Sequence, residues 1–346
     1  MSGVGQLLSR RRVAAVRVLA GRDATAYLAY EWPLLYGRDP QATVYQEPAW
    51  VRGWAAQRPA GAEPLVLVAE SAYGPAALAL LAETVGGETQ IRPLGAPLAE
   101  YIRPVGPAAD HPAATAALAR QLVQWGTQGA RVTLSDVPAS SGLAQQISGA
   151  GWEHTTVPCA HIQLPVPYEA MSRSTRRDHI RRERTWTALE TAGRATYTHT
   201  TTVNELATGI TDALHLHRRQ WASNPVHDSP SDGLAEVLIR CGPRTAAVAQ
   251  LRLDGSLVAA AVVLYQGTRC YSLLPAMDTA VSDLAPGHAL IRRMASRLTQ
   301  RGMDVLDLGR TRLDRPGTAS YKAQYLPDWT YSLTASPAPA DRGSGR

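Results

Sequence analysis

The chain has 346 residues, room for two domains of ordinary size, and its 45 % hydrophobic content supports buried cores. A formal charge of +6 and a pI near 9.4 favour anionic partners such as nucleotides, nucleic acid or a phosphate-bearing carrier, without choosing among them. Three scattered cysteines, Cys159, Cys241 and Cys270, argue against a disulfide framework or a zinc cluster and suit a reducing cytoplasm.

Ser9-Arg10-Arg11-Arg12-Val13 resembles a twin-arginine export signal, but the apolar run behind it is short and broken by Arg17, so export is not expected. No apolar run approaches the roughly 18 residues that a membrane span requires. Phenylalanine is absent, and nothing in the sequence explains that.

Val13 to Leu19 reads as a strand, and Asp23 as the cap of a helix reaching Tyr36. Glu47-Pro48 opens a second helix, with Trp50 and Trp54 one turn apart as core residues. Strands follow at Pro64–Ala69, Ala76–Glu83 and Gln90–Leu94, then a looped crossover through Tyr101-Ile102-Arg103-Pro104-Val105. A helix from Pro112 to Trp125, a strand at Arg131–Ser135, a helix at Leu143–Gly149 and a strand at Pro158–Leu164 complete the first half. The expected division is a lobe at 1–157, a lobe at 158–334 and a disordered tail at 335–346.

The second half begins with a basic helix in which Arg177, Arg181 and Arg184 fall at i, i+4 and i+7 and share a face. That stripe either grips phosphates or is a solvated face balanced by Asp178 and Glu183. Gly193 ends this helix, and Ala195–Thr200 is a strand. Val203–Trp221 is a helix carrying His215 and His217, which point to different sides and make a metal pair improbable. After a helix at Gly233–Cys241, Thr245–Leu253 and Leu257–Gln266 flank an Asp254-Gly255 hairpin turn, and Arg269–Leu274 continues the sheet. Gly287 and His288 start a helix to Gly302, whose free N–H groups suit an anion. Met303–Leu308 is a buried strand that delivers Asp307, Gly309 and Arg310 to one end of the sheet. From there a loop brings back Tyr321 and Lys322.

Lys322 is the single lysine; the other 34 of the 35 basic residues are arginine. An ammonium is a compact point charge with three rotatable donors, and a guanidinium cannot replace it where that shape matters. Such a cation beside a carbonyl oxygen would stabilise the charge that develops as an amine attacks. Lys322→Ala is therefore expected to abolish turnover while leaving the fold intact. Asp307, His288, Asp283 and Tyr321 are the candidates for a general base near the cleft.

Asp307-Leu308-Gly309-Arg310-Thr311, then Gly317 and Tyr321-Lys322-Ala323-Gln324-Tyr325, resembles the C-terminal signature of Fem-type proteins and the CelD-like acetyltransferases, groups of the GNAT superfamily. The likeness extends through Pro286-Gly287-His288, the basic helix at 173–184, the crossover at 92–105 and Gln46-Glu47-Pro48-Ala49-Trp50. The resemblance implies a mixed α+β fold of two GNAT-like lobes, with mixed sheets flanked by helices and an active cleft between them. It also implies that Lys322 lies against the reacting carbonyl, preceded by Tyr321, with Asp307 in the same motif. Donor contacts fall to Gly287, His288, Arg177, Arg181, Arg184 and Arg310. Two departures stand out: Leu308 replaces an aromatic, and Leu284 occupies the position where ordinary GNAT enzymes carry a basic residue for coenzyme pyrophosphate.

The expected activity is amide formation from an activated acyl group, with acyl-coenzyme A as donor and no metal. The acceptor would be a small-molecule or cell-envelope amine. Aminoacyl-tRNA is the alternative donor, favoured by the basic helix and the pI. A non-catalytic, basic nucleic-acid-binding module on the same scaffold is the contrasting reading. No helix-turn-helix or zinc pattern supports sequence-specific DNA binding.

Overall fold

The structure is a computed structural model that describes residues 15–222, 233–311 and 316–337. A five-stranded sheet is built from β1 (Ala15–Ala20), β2 (Glu63–Ser71), β3 (Gly74–Val85), β4 (Glu88–Pro93) and β5 (Arg131–Val132), in that order. Helices α1 (Gly21–Tyr30), α2 (Trp32–Tyr36), α3 (Pro48–Ala56) and α4 (Pro112–Thr127) belong to this half. α3 starts as the sequence implies: Pro48 takes the first helical position and the Glu47 carboxylate accepts from the N–H groups of Ala49 and Trp50. Trp50 and Trp54 are buried, edge to face at 5.9 Å. Asp23 is not a cap; it lies inside the first turn of α1, which starts at Gly21 after an uncapped Ala20.

The larger sheet has eight strands in the order β6-β13-β7-β12-β11-β10-β9-β8. These are β6 (Leu134–Pro138), β7 (Glu153–Gln163), β8 (Ala195–His199), β9 (Ala246–Leu253), β10 (Ser256–Gln266), β11 (Arg269–Met277), β12 (Val305–Arg310) and β13 (Asp328–Ser336). α5 (Gly142–Gly149) joins β6 to β7. The remaining helices are α6 (Arg173–Thr191), α7 (Val203–Trp221), α8 (Leu234–Cys241), α9 (Pro286–Gln300) and α10 (Pro316–Ala323). The fold is thus α+β, with two mixed sheets flanked by helices.

The single expected strand at 131–135 is two strands in different sheets. β5 pairs with β4, whereas β6 pairs with β13, so the first half of the chain lends β6 and β7 to the second half's sheet. The 157/158 division falls inside β7. β13 was not legible as a strand, and it runs through Ala335 and Ser336, where the tail was expected to begin. Residues 338–346 lie outside the described residues.

One feature of the large sheet positions the site. β11 and β12 are parallel neighbours joined through α9, but they pair only at Arg269–Tyr271 with Val305–Asp307 and then part. On the other side β12 pairs antiparallel with β7, which sets Asp307 directly opposite His161. Just beyond, Gly309 at φ 64° breaks the register.

Candidate active site

Asp307 is 1 % exposed and collects donors from both halves of the chain. Its Oδ1 accepts from the Tyr101 hydroxyl at 2.9 Å and from Gly309 N–H at 2.8 Å. Its Oδ2 lies 3.1 Å from His161 Nε2 and 3.4 Å from Arg269 Nη1. The neighbours settle the histidine tautomer. A carboxylate can only accept, so Nε2 carries the hydrogen; Arg269 Nη1 can only donate, so Nδ1, 3.3 Å from it, presents a lone pair. Thr330 Oγ1 is 3.3 Å from Nε2.

Tyr101 reaches this cluster from the crossover in a left-handed conformation, φ 53°, and Asp136 of β6 is left-handed too, at φ 57°. The two are tied by Ile102 N–H donating to Asp136 O at 2.8 Å. Non-glycine residues held at positive φ cost on the order of 1–3 kcal/mol each and persist where the surroundings over-determine them. The cluster opens on a cavity of about 450 Å³ between the large sheet and the loops that carry Thr43, Tyr101 and Ser140, lined also by His161, Arg269, Tyr271 and Asp307. Two tyrosines line it, Tyr101 and Tyr271, and the buried Tyr45 packs on both, 5.6 Å from Tyr271 and 6.2 Å from Tyr101, ring centre to ring centre. Burial holds the Tyr101 phenol well above its ordinary pKa, reinforced by the Asp307 charge, so it stays a donor.

Lys322 is 6 % exposed and sits on α10, a short helix begun by Pro316, where the sequence reading placed a loop. Its Nζ donates to three consecutive carbonyls: Leu308 at 2.7 Å, Gly309 at 3.0 Å and Arg310 at 2.6 Å. They converge on one point because Gly309 is left-handed; a Cβ there would meet the Glu100 carboxylate at 2.6 Å. All three ammonium hydrogens are engaged, so none is left for a substrate oxygen in this arrangement. Burial lowers the Lys322 pKa to about 8, opposed by Glu100 and Asp307, so the cation persists at neutral pH. The expectation that Lys322→Ala leaves the fold intact gives way to another, because three buried acceptors would lose their donor.

Arg310 is a clamp between the halves rather than a free cation. Its nitrogens reach Asp136 at 2.9 Å, Pro97 O at 2.9 Å and Glu100 at 3.5 Å. Burial pushes the Glu100 carboxyl up to about 7, with Arg310 opposing, and likewise pushes Asp136 up to about 6.

Gly287 and His288 do open α9, but the space in front of them is filled. A Cβ on Gly287 would meet the Tyr321 hydroxyl at 3.2 Å and Met277 Sδ at 3.6 Å. His288 packs edge to face on Tyr321 at 4.5 Å, and its Nδ1 is 2.8 Å from the Tyr325 hydroxyl. His179 of α6 closes the group, 5.2 Å from Tyr325 and 5.9 Å from His288. Burial lowers the His288 pKa to about 3, and Arg182 and His179 lower it further, so the ring is neutral. Arg177, Arg181 and Arg184 are exposed, roughly 140–200° around α6 from His179. They stand on the outer face, away from the α9 start, with Arg181 3.6 Å from Asp178. Asp283 is exposed in the turn before α9. His215 is exposed and His217 buried, on different sides of α7.

Of the residues expected from sequence, the structure therefore joins Asp307 to the open cleft, groups Gly287, His288 and Tyr321, and links Lys322 to Arg310 through the backbone of 308–310. The sequence reading did not single out His161 and Arg269. The alternation Cys159-Ala160-His161-Ile162 does place His161 on a different face from the buried Ile162, the one signal that could have marked it.

Residues 173–323 match the acetyltransferase (GNAT) domain model, 151 of the chain's 346 residues. The chain carries a GNAT acyltransferase domain. The whole fold, including the first lobe, is shared with solved structures at low identity. FemX aligns at TM-score 0.59 and 11 % identity over 93 % of this chain and 96 % of that one. The C-terminal DUF2156 domain of a protein described as a lysylphosphatidylglycerol synthetase, from Agrobacterium fabrum, aligns at 0.58 and 14 %, over 92 % and 94 %. A tandem GNAT protein from the clavulanic acid biosynthesis pathway aligns at 0.52 and 13 %, over 94 % and 100 %. Comparison with curated proteins by sequence gives no match. The GNAT domain thus stands in a two-sheet, Fem-like arrangement, as the motif at 307–325 implies. Among the described residues, no group of three or more His, Cys, Asp or Glu could hold a metal, and no helix is long and apolar enough to cross a membrane.

Proposed function

We propose that this acyltransferase forms an amide in the cavity at the end of β12, with Asp307 and His161 as its base. The observation that carries the reading is the buried Asp307 carboxylate, which fixes His161 in the tautomer whose Nδ1 lone pair faces Arg269, both residues lining the cavity. A neutral amine attacks the acyl carbonyl, and Nδ1 accepts its proton as the C–N bond forms. Asp307 balances the imidazolium, while Tyr101 and Gly309 hold the carboxylate in place. The leaving oxygen or sulfur then takes the proton. Lys322 supports this by pinning the backbone of 308–310 beside Asp307.

For the donor, acyl-coenzyme A is the general GNAT choice, and its pyrophosphate would need the start of α9. With Tyr321 over Gly287 and Leu284 in the basic position, the observations favour the other candidate, an aminoacyl-tRNA. The exposed arginine stripe of α6 suits that partner, and the fold likeness to a lysylphosphatidylglycerol synthetase is consistent with it. The acceptor is a small-molecule or cell-envelope amine, and the unpaired cysteines suit a reaction in the cytoplasm. The test offers labelled acetyl-coenzyme A and charged tRNA separately to the purified protein with a pool of amines, with and without ribonuclease. Label transfer from charged tRNA that ribonuclease abolishes is expected; transfer from acetyl-coenzyme A alone reverses the donor assignment. No transfer from either donor removes the reading.

A further inference from the structure

Three guanidinium groups stand at or beside the cleft, and they are not equivalent. Arg103 is 5 % exposed and has its terminal nitrogens on Asp39 and Asp110. Arg310 is held by Asp136, Pro97 and Glu100. Arg269 differs. Of its nitrogens only Nη1 is hydrogen-bonded, at 3.3 Å from His161 and 3.4 Å from Asp307, both at the long end of hydrogen bonding, and the guanidinium carbon lies 6.0 Å from the centre of the Tyr271 ring. Its Nε and Nη2 meet no acceptor among the described residues, and its side chain is 34 % exposed in the cavity wall. The backbone beneath it is firm, because Arg269 opens β11 opposite Val305 in the short parallel register.

We propose that Arg269 anchors a carboxylate carried by the acceptor, which makes the acceptor an amino acid or another amine with a carboxylate close by. The inference rests on the amide-forming reading of the same cleft. The open Nε–Nη2 edge is the planar fork that binds carboxylate through two parallel hydrogen bonds. Engaging it turns the guanidinium and draws Nη1 off His161 Nδ1. The lone pair that Arg269 now caps is thereby released, and an amine one or two bonds from the carboxylate arrives beside it. Binding of the correct acceptor and uncapping of the base become one event. An amine without the carboxylate finds Nδ1 still covered. The step adds no co-reactant: the C–N bond forms, the bond to the leaving group breaks, and the amine proton passes through Nδ1 to that group.

The test begins with the whole chain labelled with 15N-histidine, the His161 resonances being assigned by their loss in His161→Asn. Sodium acetate should shift the His161 Nδ1 resonance saturably. Arg269→Gln should abolish the shift, and Arg269→Lys, which keeps the charge but loses the fork, should weaken binding about tenfold. Ethylamine should give no shift. Acetate acting equally on wild type and Arg269→Gln overturns the anchor, and inorganic phosphate binding more tightly than acetate overturns the carboxylate assignment. In the transfer assay wild type should prefer glycine to glycinamide by tenfold or more, a preference lost in Arg269→Gln through KM more than kcat. Equal use of both amines by both proteins sinks the anchor while the amide reading stands. Acetate binding without transfer to any amine supports the anchor and sinks the reading.

Discussion

Two places among the described residues, the end of β12 and the start of α9, have opposite characters. At the end of β12 the cleft is open and rich in charge, with Asp307, His161 and Arg269 on a volume of about 450 Å³. At the start of α9, where a GNAT fold offers a helix end to a phosphate, Tyr321, Tyr325, His288 and His179 fill the space with neutral rings. Motif position marks the second place, and side-chain chemistry marks the first. Where an expected anion site is packed with phenol and neutral imidazole, a charged ligand would have to displace well-packed rings before gaining any N–H contact.

The largest effect expected from breaking the comparison is at Asp307. Asp307→Asn should cut the single-turnover rate by about 10²–10⁴-fold, because a neutral amide cannot balance the imidazolium. A near-wild-type rate in the folded variant would return attention to the α9 start. Lys322→Met should cost about 3 kcal/mol or more in urea unfolding, since three buried carbonyls lose their donor. Unchanged stability with lost turnover would instead assign the ammonium to the reacting carbonyl, as the motif alone suggests.

The two regions should also respond to pH with opposite signs. Glu100, beside the cleft, has a folded pKa of about 7 against an ordinary 4.5, so its contribution to stability is complete below 4.5 and lost as pH rises through 7. His288 has a folded pKa of about 3 against 6.5, so its contribution is complete above 6.5 and lost as pH falls towards 3. Glu100→Gln should flatten the upper limb of a stability–pH curve and His288→Asn the lower, each by about 1–3 kcal/mol. If both variants flatten the same limb, the contrast in electrostatics fails. The smallest effect is at Tyr321: Tyr321→Gly should open the α9 start and raise affinity for coenzyme A by about tenfold, roughly 1.4 kcal/mol, by calorimetry. No change would show that something other than the phenol excludes the coenzyme.

Much of the fold was legible because periodicity and caps are local. The Asp254-Gly255 hairpin, the helix opened at Glu47-Pro48 and the 203–221 helix all stand where the sequence puts them. What escaped depended on partners distant in sequence. β13 alternates Thr330, Ser332 and Thr334 with apolar residues, and only β6 and β7 on either side make it a central strand. Residues 131–135 read as one strand because nothing local says that β5 and β6 join different sheets. The helix at Pro316 hid behind Pro316-Gly317, which reads equally as a turn. The site is less legible still. Tyr101 and Asp307 are 206 residues apart, and Tyr101 and His161 are 60; strand register sets His161 opposite Asp307, and the crossover brings Tyr101 to both. Lys322 drew notice by its rarity, but its target, the backbone itself, leaves no trace in residue identities.

The most direct test of the dyad is the single-turnover rate of amide formation, with whichever donor transfers label, in wild type and His161→Asn. The account predicts a loss of at least 100-fold with donor binding and melting temperature unchanged. His161→Asn turning over at the wild-type rate would contradict it.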